Sequence, residues 1–288
     1  MSKDMGDDFG SDFDAGMGGG SSKKLFGGVS VKWENILPIA VIVIVLVLVL
    51  FKTNVLSDGF SMLGGKSGTN ILVLGSPTPE FRSILSDQEN KDLIRDIRFQ
   101  TLEQIDHNPV ERLKGFNIVI LDQSTQSDKS ISRRTADAIT SYVKKGGKLI
   151  VVLNSGIQRP DDVSVLGWQA NFGDIVPVSC GYTGSRPSCL QPIDMQGALY
   201  AVKEEHPIMK GIMRIPAVET SGPIKTRTFD LQVVGSEIAY LEDPRITGGK
   251  GNYVAISESS LLMGKVIHFN FNPGISKAIV INTIKYLK

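Results

Sequence analysis

The sequence is poor in several features that mark whole classes of protein. Its 288 residues carry a formal net charge of only +1, and the basic residues are scattered among acidic ones. A nucleic-acid-binding domain needs clustered positive charge to neutralise phosphates, so we expect no nucleic-acid partner. No Walker A or GxGxxG motif follows an apolar stretch, and nucleotide binding has no support. No Asn-x-Ser/Thr sequon occurs, which argues against N-glycosylation.

Residues that bind metals or carry redox chemistry are also scarce. There are two cysteines and three histidines, and none of them has the spacing of a zinc site. We therefore expect no metal and no cofactor. Cys180 and Cys189 bracket the loop CGYTGSRPSC, and they are either two free thiols or a disulfide, which would suit an oxidising compartment. A disulfide would contribute about 2–3 kcal/mol of stability by the chain-entropy estimate.

One long apolar run, residues 36–51 (ILPIAVIVIVLVLVLF), lies near the N-terminus. It is rich in valine and isoleucine, but a lone strand in lipid leaves its backbone unpaired, whereas a helix satisfies its own backbone. Trp33 and Lys52 flank the run as interfacial anchors, and Pro38 falls in the first turn. We predict one transmembrane helix over residues 33–56. The alternative, a buried core strand, would have to be implausibly long.

The segments on either side of this run set the expected topology. Residues 1–32 are rich in Gly and Asp, which predicts a disordered tail or, with Phe9 and Phe13 among the aspartates, a short docking motif. Residues 57–69 contain four glycines and are predicted to be a flexible tether. Lys23, Lys24 and Lys32 lie shortly before the apolar run, and no cleavage site follows it. These features indicate a single-pass signal anchor in the cell membrane, with the N-terminus cytoplasmic and the main domain extracytoplasmic.

From residue 70 onward the pattern is that of an α/β domain, which we assign to residues 70–288. Short apolar stretches alternate with amphipathic helical ones, as in a parallel sheet covered on both faces. Beyond residue 228, alternating strands follow one another before a final helix. The predicted strands are 71–74, 99–105, 116–122, 148–153, 229–234, 237–241, 253–257 and 265–271, and the predicted helices are 81–98, 132–145 and 276–287.

Several pieces of this domain occur in the order found in a known superfamily. They are FNIVILDQS (116–124), YVKKGGKLIVV (142–152), HPIMKGI (206–212), GKGNYVAISE (249–258) and GKVIHFNFNPG (264–274). On these motifs, residues 70–288 resemble the class I glutamine amidotransferase-like, ThuA-related superfamily. The resemblance implies an α/β, flavodoxin-like three-layer sandwich with a mostly parallel sheet and a β-rich C-terminal addition.

The resemblance does not extend to the catalytic residues of that family. The family has a Gly-x-Cys-x-Gly elbow; matched through Gly156, it places Asn154 at the nucleophile and Val152 at the first glycine. The family's His-x-Glu pattern has only a partial counterpart in His268 and Asn270, because an amide supplies no charge. The resemblance therefore implies an amidotransferase-like domain without its catalytic residues.

Ligands of parallel α/β sheets bind at the carboxyl ends of the strands, and we expect a binding crevice there. His206 has Glu204 and Glu205 beside it, but their spacing matches no standard metal site, so it is treated as a binding residue. The candidate crevice residues are Ser76, Asp122, Gln123, Asn154, Ser155, His206, His268 and Asn270.

Three functions are compatible with the sequence. The leading hypothesis is a membrane-anchored, non-catalytic domain that binds a partner protein or a small ligand, for example a glycan, outside the membrane. The second is a cryptic hydrolase that uses Ser155 or His268. The third is an accessory subunit of a transport or envelope complex, which binds its protein partner through the membrane span and the acidic tail.

Overall fold

The structure is a computed structural model that describes residues 41, 42, 45, 68–162, 164–218, 221–246 and 251–288. Contacts divide the chain into two compact units, Met1–Gly64 and Gly65–Lys288. In the first unit, Val41, Ile42 and Val45 are helical. The predicted tail (1–32), the rest of the predicted transmembrane helix (33–56) and the predicted tether as far as residue 67 lie outside the described residues. Among the residues that are described, no helix is both long and apolar enough to cross a membrane.

The second unit is built on one long mixed sheet. Five neighbouring strands run parallel, in the spatial order β2 (Ile94–Gln100), β1 (Thr69–Gly75), β3 (Ile118–Asp122), β4 (Lys148–Val152) and β14 (Gly264–Phe269). This is the flavodoxin-like strand order, in which ligands bind where the order reverses, between β1 and β3. All residues of β3 are buried, as expected for a strand covered on both faces.

The other half of the sheet is antiparallel and continues directly from β14. Its strands are, moving away from β14, β13 (Asn252–Leu261), β12 (Ser236–Glu242), β8 (Pro192–Ala201) and β10 (Ile224–Phe229), with β9 (Arg214–Ile215) beside β8. The β-rich addition predicted from the sequence is therefore part of the same sheet, joined to the parallel strands by hydrogen bonds. Two small antiparallel pairs lie outside this sheet: β5 (Val178–Cys180) with β11 (Leu231–Val233), and β6 (Tyr182–Thr183) with β7 (Arg186–Pro187).

The helices begin mainly at side-chain caps. Thr78, Thr101, Ser132 and Ser276 each accept a hydrogen bond from a backbone N–H of the first turn, which satisfies a donor that the helix itself leaves unpaired. The described helices are α1 (Pro79–Ser86), α2 (Leu102–Asp106), α3 (Pro109–Leu113), α4 (Arg133–Lys144), α5 (Trp168–Phe172) and α6 (Lys277–Leu287).

Two predicted elements between β1 and β3 are wrong. The predicted helix 81–98 ends at Ser86, and residues 94–98 belong to β2. The predicted strand 99–105 continues β2 only as far as Gln100 and then becomes α2. β2 is an edge strand, so Arg95 and Arg98 are exposed, and its mixed polar pattern imitates an amphipathic helix.

Candidate functional site

The turn after β4 holds a strained backbone at the carboxyl edge of the parallel strands. Leu153 has a φ of +52°, a conformation that a branched side chain rarely adopts. Its N–H donates to the carbonyl of Phe269 (2.6 Å), and its own carbonyl lies 2.8 Å from Nε2 of His268. In enzymes with a nucleophile elbow the strained residue carries the nucleophile. Here that residue is a leucine, one position before the Asn154 expected from the sequence match.

Asn154 and Ser155 have different roles in this turn. The buried hydroxyl of Ser155 donates to the carbonyl of Val152 (2.6 Å) and accepts from the N–H of Gln123 (2.8 Å). The bond with Gln123 ties the turn to the end of β3, the bond with Val152 is internal to the turn, and neither presents the hydroxyl to a ligand. Asn154 is half-buried, with its amide nitrogen 3.4 Å from the carbonyl of Cys189.

The residues that follow β1 and β3 form hydrogen bonds that connect the loops at this edge. Gln123 is buried; its side chain donates to the carbonyl of Ser130 (3.0 Å) and accepts from the N–H of Gly156 (2.8 Å). Ser76, after β1, donates its N–H to the carbonyl of Asp122 (2.7 Å), and its hydroxyl accepts from Thr125 (2.8 Å). These side chains hold the loops that follow β1, β3 and β4 together.

Asp122 is a buried carboxylate beneath this edge. Its Oδ1 accepts from the N–H of Ser124 (2.8 Å) and from the Ser124 hydroxyl, whereas its Oδ2 has no partner among the described residues. Burial raises the pKa of Asp122 to about 6, although the Ser124 hydrogen bonds and the charge of Lys129 act in the opposite direction. A carboxyl group whose pKa is raised toward neutral pH, at a topological switch point, is a candidate binding group.

A crevice of about 350 Å³ opens at this edge of the sheet. Two cations line it: Lys129, from the loop after β3, and Arg227, from β10. Burial lowers the pKa of Lys129, the charge of Asp122 opposes this shift, and the charge of Arg227 adds to it. No carboxylate is among the described residues that line the crevice. The others are Ser124, Gln126, Ser127, Leu153, Asn154, Gln158, Leu190, Pro192 and Phe229.

Among the residues predicted to bind, the structure therefore brings only Asn154 to the crevice wall. Asp122, Gln123 and Ser155 lie directly behind that wall and support it. Sequence reasoning missed both cations. Lys129 was detectable as a lysine in the loop after a predicted strand, but nothing local connects it to Arg227, which only the continuous sheet brings beside it.

His268 and Asn270 are buried in the sheet and support the crevice from below. The His268 ring packs edge-on against Trp168 (5.2 Å between centroids), and its Nδ1 has no partner among the described residues. Burial lowers the pKa of His268 to about 4, so the ring is neutral at pH 7. The side-chain amide of Asn270 accepts from the N–H of Phe229 (3.1 Å) and donates to its carbonyl (2.8 Å), which completes the end of β10.

His206 does not belong to the crevice. Its Nε2 lies 3.0 Å from Oε2 of Glu258, and its ring packs against Tyr286 of α6. Glu258 and Ser257 are neighbours in β13, and His268 is opposite Ser257, so Glu258 and His268 face opposite sides of the sheet. His206 therefore anchors the segment after β8 to α6. Among the described residues, no group of three His, Cys, Asp or Glu side chains could hold a metal ion.

The predicted cysteine pair is bonded. Cys180 and Cys189 form a disulfide with their Cα atoms 5.2 Å apart, and Cys189 is fully buried. Leu190 and Pro192, which follow Cys189, line the crevice. The disulfide therefore fixes one wall of the crevice, and the Cys189 carbonyl is the acceptor near Asn154.

We compared the chain with protein-family models, curated proteins and solved structures. No protein-family model matches the sequence, and no curated protein matches it significantly. Among solved structures, a β-galactosidase from Bacillus circulans sp. alkalophilus has a TM-score of 0.50 at 12% identity, over 75% of this chain and 30% of the β-galactosidase. A ThuA-like protein from Bacteroides uniformis has a TM-score of 0.49 at 12% identity, over 78% of this chain and 92% of that protein.

A cytoplasmic protein from Salmonella typhimurium has a TM-score of 0.47 at 12% identity, over 76% of this chain and 98% of that protein. This chain spans less than a third of the β-galactosidase. At 12% identity, the likeness to the β-galactosidase concerns the fold alone.

Proposed function

We propose that this chain is a non-catalytic binding protein whose crevice takes a small anionic ligand, such as a carboxylate-bearing sugar. The apolar segment 36–51 would anchor it in the cell membrane, with the α/β domain on the extracytoplasmic side, where a protein partner of a membrane complex would receive the bound ligand.

The observation that carries this proposal is the charge of the crevice. Lys129 and Arg227 both line it, and the described lining residues include no carboxylate, although Asp122 behind the wall and Asp128 partly offset the charge of Lys129. Arg227 is 3.8 Å from Asp194, but both side chains of that pair are largely exposed, so the pairing is weak. An anion bound between the two cations would be attracted by both of them.

The remaining lining groups suit a polar ligand with several hydroxyls. Gln126, Asn154 and Gln158 supply amides, and Ser124 and Ser127 supply hydroxyls. Amides and hydroxyls both donate and accept hydrogen bonds, which matches the alternating donors and acceptors of a sugar ring. The cavity volume of about 350 Å³ is at the small end of ligand sites.

The geometry of the nucleophile candidates favours binding over hydrolysis. The Ser155 hydroxyl accepts from one backbone group and donates to another, and no histidine among the described residues is hydrogen-bonded to it. His268 is buried and directs Nε2 at the carbonyl of Leu153. A hydrolase would need a nucleophile and a base in hydrogen-bond contact.

The membrane anchoring in the proposal rests on the sequence and on the disulfide. The apolar run, its interfacial Trp33 and Lys52, and the lysine bias support a signal anchor. The Cys180–Cys189 disulfide supports an oxidising compartment for the α/β domain.

Titration calorimetry of the full chain with glucuronate and with glucose tests the crevice proposal. Glucuronate differs from glucose by a carboxylate, so we expect it to bind at least about tenfold more tightly, the effect of one charge-assisted hydrogen bond. Replacing Lys129→Met or Arg227→Met should abolish this preference, whereas Arg133→Met, an exposed arginine of α4, should leave it unchanged.

Two results would contradict the proposal. One is equal, measurable affinity for both sugars that the Lys129 and Arg227 variants do not change. The other is hydrolysis of an amide, ester or glycoside by the purified chain that Ser155→Ala abolishes.

A further inference from the structure

The hairpin between β13 and β14 ends in two exposed apolar residues. Leu261 pairs with Gly264, so Leu262 and Met263 form a two-residue loop, which we call the hairpin tip. The Leu262 side chain is fully exposed at 101%, and Met263 is 73% exposed. Two adjacent large apolar side chains without cover are unusual at a turn, where polar residues prevail.

The backbone conformation of the hairpin tip is also unfavourable for leucine. Leu262 has a φ of +49°, and the first position of a two-residue hairpin loop with positive φ favours glycine or asparagine. The leucine side chain has no burial to offset this strain. Strained residues that the fold does not require are concentrated at functional sites.

The hairpin tip lies among lysines. β3, β4 and β14 are parallel, so their amino ends lie at one edge of the sheet, opposite to the ligand crevice, and the tip immediately precedes β14. Nζ of Lys148, the first residue of β4, donates to the carbonyl of Met263 and holds the tip in place. Gly146 also lies beside Met263, where an added Cβ would be 3.4 Å from the methionine side chain.

A groove of about 410 Å³ at the same edge extends this basic surface. Lys114, Lys145, Lys148 and Lys288 line it, above an apolar floor that includes Leu113 and Phe116. Glu111 offsets one of these charges through its 2.5 Å ion pair with Lys114. The described lining residues of the groove include no carboxylate side chain.

We propose that this edge contacts the surface of an anionic membrane. Leu262 and Met263 enter the boundary between headgroups and acyl chains, and Lys114, Lys145, Lys148 and Lys288 bind lipid phosphates. Protruding apolar side chains with a basic surround are the features of interfacial membrane binding. The amino end of β1, at Thr69, lies at this edge too, because β1 is parallel to β3.

A lipid surface suits the tip better than a protein partner does. Both side chains are exposed at a two-residue turn, and a fluid bilayer accepts exposed apolar side chains without a matching pocket. The lysines favour anionic lipid, because each lysine near an anionic membrane surface adds a similar attractive free energy. The proposal rests on the membrane anchoring proposed above and is independent of the crevice.

Depth-dependent fluorescence of the reconstituted full chain tests this proposal. Leu262→Cys is labelled with an environment-sensitive nitrobenzoxadiazole dye without reductant, because the two native cysteines are bonded. The control is Tyr182→Cys, at an exposed position in the disulfide loop. The vesicles contain phosphatidylcholine with or without phosphatidylglycerol, and brominated acyl chains serve as the quencher.

We expect the label at position 262 to be blue-shifted and quenched in the anionic vesicles, and the label at 182 to be neither. In the position-262 background, Lys145→Gln should lower the inserted-to-free ratio of the tip about fivefold, whereas Arg186→Gln should not change it.

An unquenched label at 262 in chains that stay with the vesicles would overturn this inference and leave the anchoring intact. A chain that does not stay with vesicles at all would refute the anchoring instead. A blue shift of the label at 262 that depends on protein concentration and not on lipid would indicate a protein interface. This result would also overturn the inference.

Discussion

Two leucines have positive φ angles, at opposite edges of the same sheet. Among the described residues, Leu153 and Leu262 are the non-glycine residues with this backbone conformation, at +52° and +49°. Their environments differ completely, because Leu153 is 6% exposed and Leu262 is 101% exposed. The comparison separates the backbone cost, which the two sites share, from the side-chain burial that only one of them has.

The difference shows which strain the fold itself maintains. A left-handed backbone costs an L-residue about 1–2 kcal/mol. At Leu153, burial of the side chain offsets this cost, together with hydrogen bonds from its N–H to the Phe269 carbonyl and from its carbonyl to the His268 side chain. At Leu262, the fold supplies a lysine bond to the next residue, Met263, but no burial of the leucine. The strain at Leu153 is part of the architecture of the crevice, and that at Leu262 is better explained by an interaction outside the chain.

The largest expected effect comes from removing the buried leucine. Leu153→Gly relieves the strained backbone but deletes a core side chain, and large-to-small core substitutions cost about 2–5 kcal/mol. We expect a net loss of about 2 kcal/mol or more in the free energy of unfolding, measured by urea denaturation. Leu153→Ala, which keeps the strain, should be similarly destabilised. A glycine variant as stable as the parent would show that the Leu153 side chain contributes little.

Two buried groups near Leu153, His268 and Asp122, have pKa values that are shifted in opposite directions. Burial lowers the pKa of His268 to about 4 from an ordinary 6.5 and raises the pKa of Asp122 to about 6 from 3.8. Between pH 4 and 6.5 the unfolded chain binds more protons at His268, so this group makes stability rise with pH. Between pH 3.8 and 6 the folded chain binds more protons at Asp122, so this group makes stability fall with pH. The two slopes oppose each other between about pH 4 and 6.

Single substitutions should expose each slope. Relative to the parent chain, Asp122→Asn should make the free energy of unfolding rise more steeply from pH 4 to 6, by up to about 1.4 kcal/mol per pH unit. His268→Leu should tilt the same profile in the opposite direction by a comparable amount, besides a loss of about 1–3 kcal/mol because the Leu153 carbonyl loses its donor. Urea denaturation across this pH range measures both slopes. Parallel profiles for all three chains would mean that neither group titrates in this window.

How far the sequence predicts these features depends on how local their causes are. The apolar runs of β1, β3 and β4 are buried on both faces, so they are visible as continuous hydrophobic stretches. β2 lies at the sheet edge, where polar residues interrupt the apolar pattern, so the sequence does not predict it as a strand. The disulfide was predictable because Cys180 and Cys189 are the two cysteines of the chain and lie close in sequence.

The crevice depends on tertiary contacts that no local pattern encodes. Lys129 and Arg227 are nearly a hundred residues apart and meet only because the antiparallel half extends the parallel sheet. The motif match predicts the nucleophile position at Asn154 and gives no sign of the strain at Leu153, because a positive φ cannot be read from the residue type of a leucine. The hairpin tip was missed for a related reason: LLMG lacks the polar turn residues that announce a hairpin.

The smallest expected effect is the counterpart of the first, at the exposed leucine. Leu262→Gly removes the left-handed strain, deletes no buried contact and adds backbone entropy to the unfolded chain. These terms leave a gain of about 0.5 kcal/mol in the free energy of unfolding in solution, measured by urea denaturation beside the Leu153→Gly variant. Opposite signs for the same substitution at the two sites would confirm that only Leu153 is held by burial. A loss at Leu262 comparable to that at Leu153 would mean that the hairpin tip stabilises the folded chain, and the case for an external contact there would lose its physical basis.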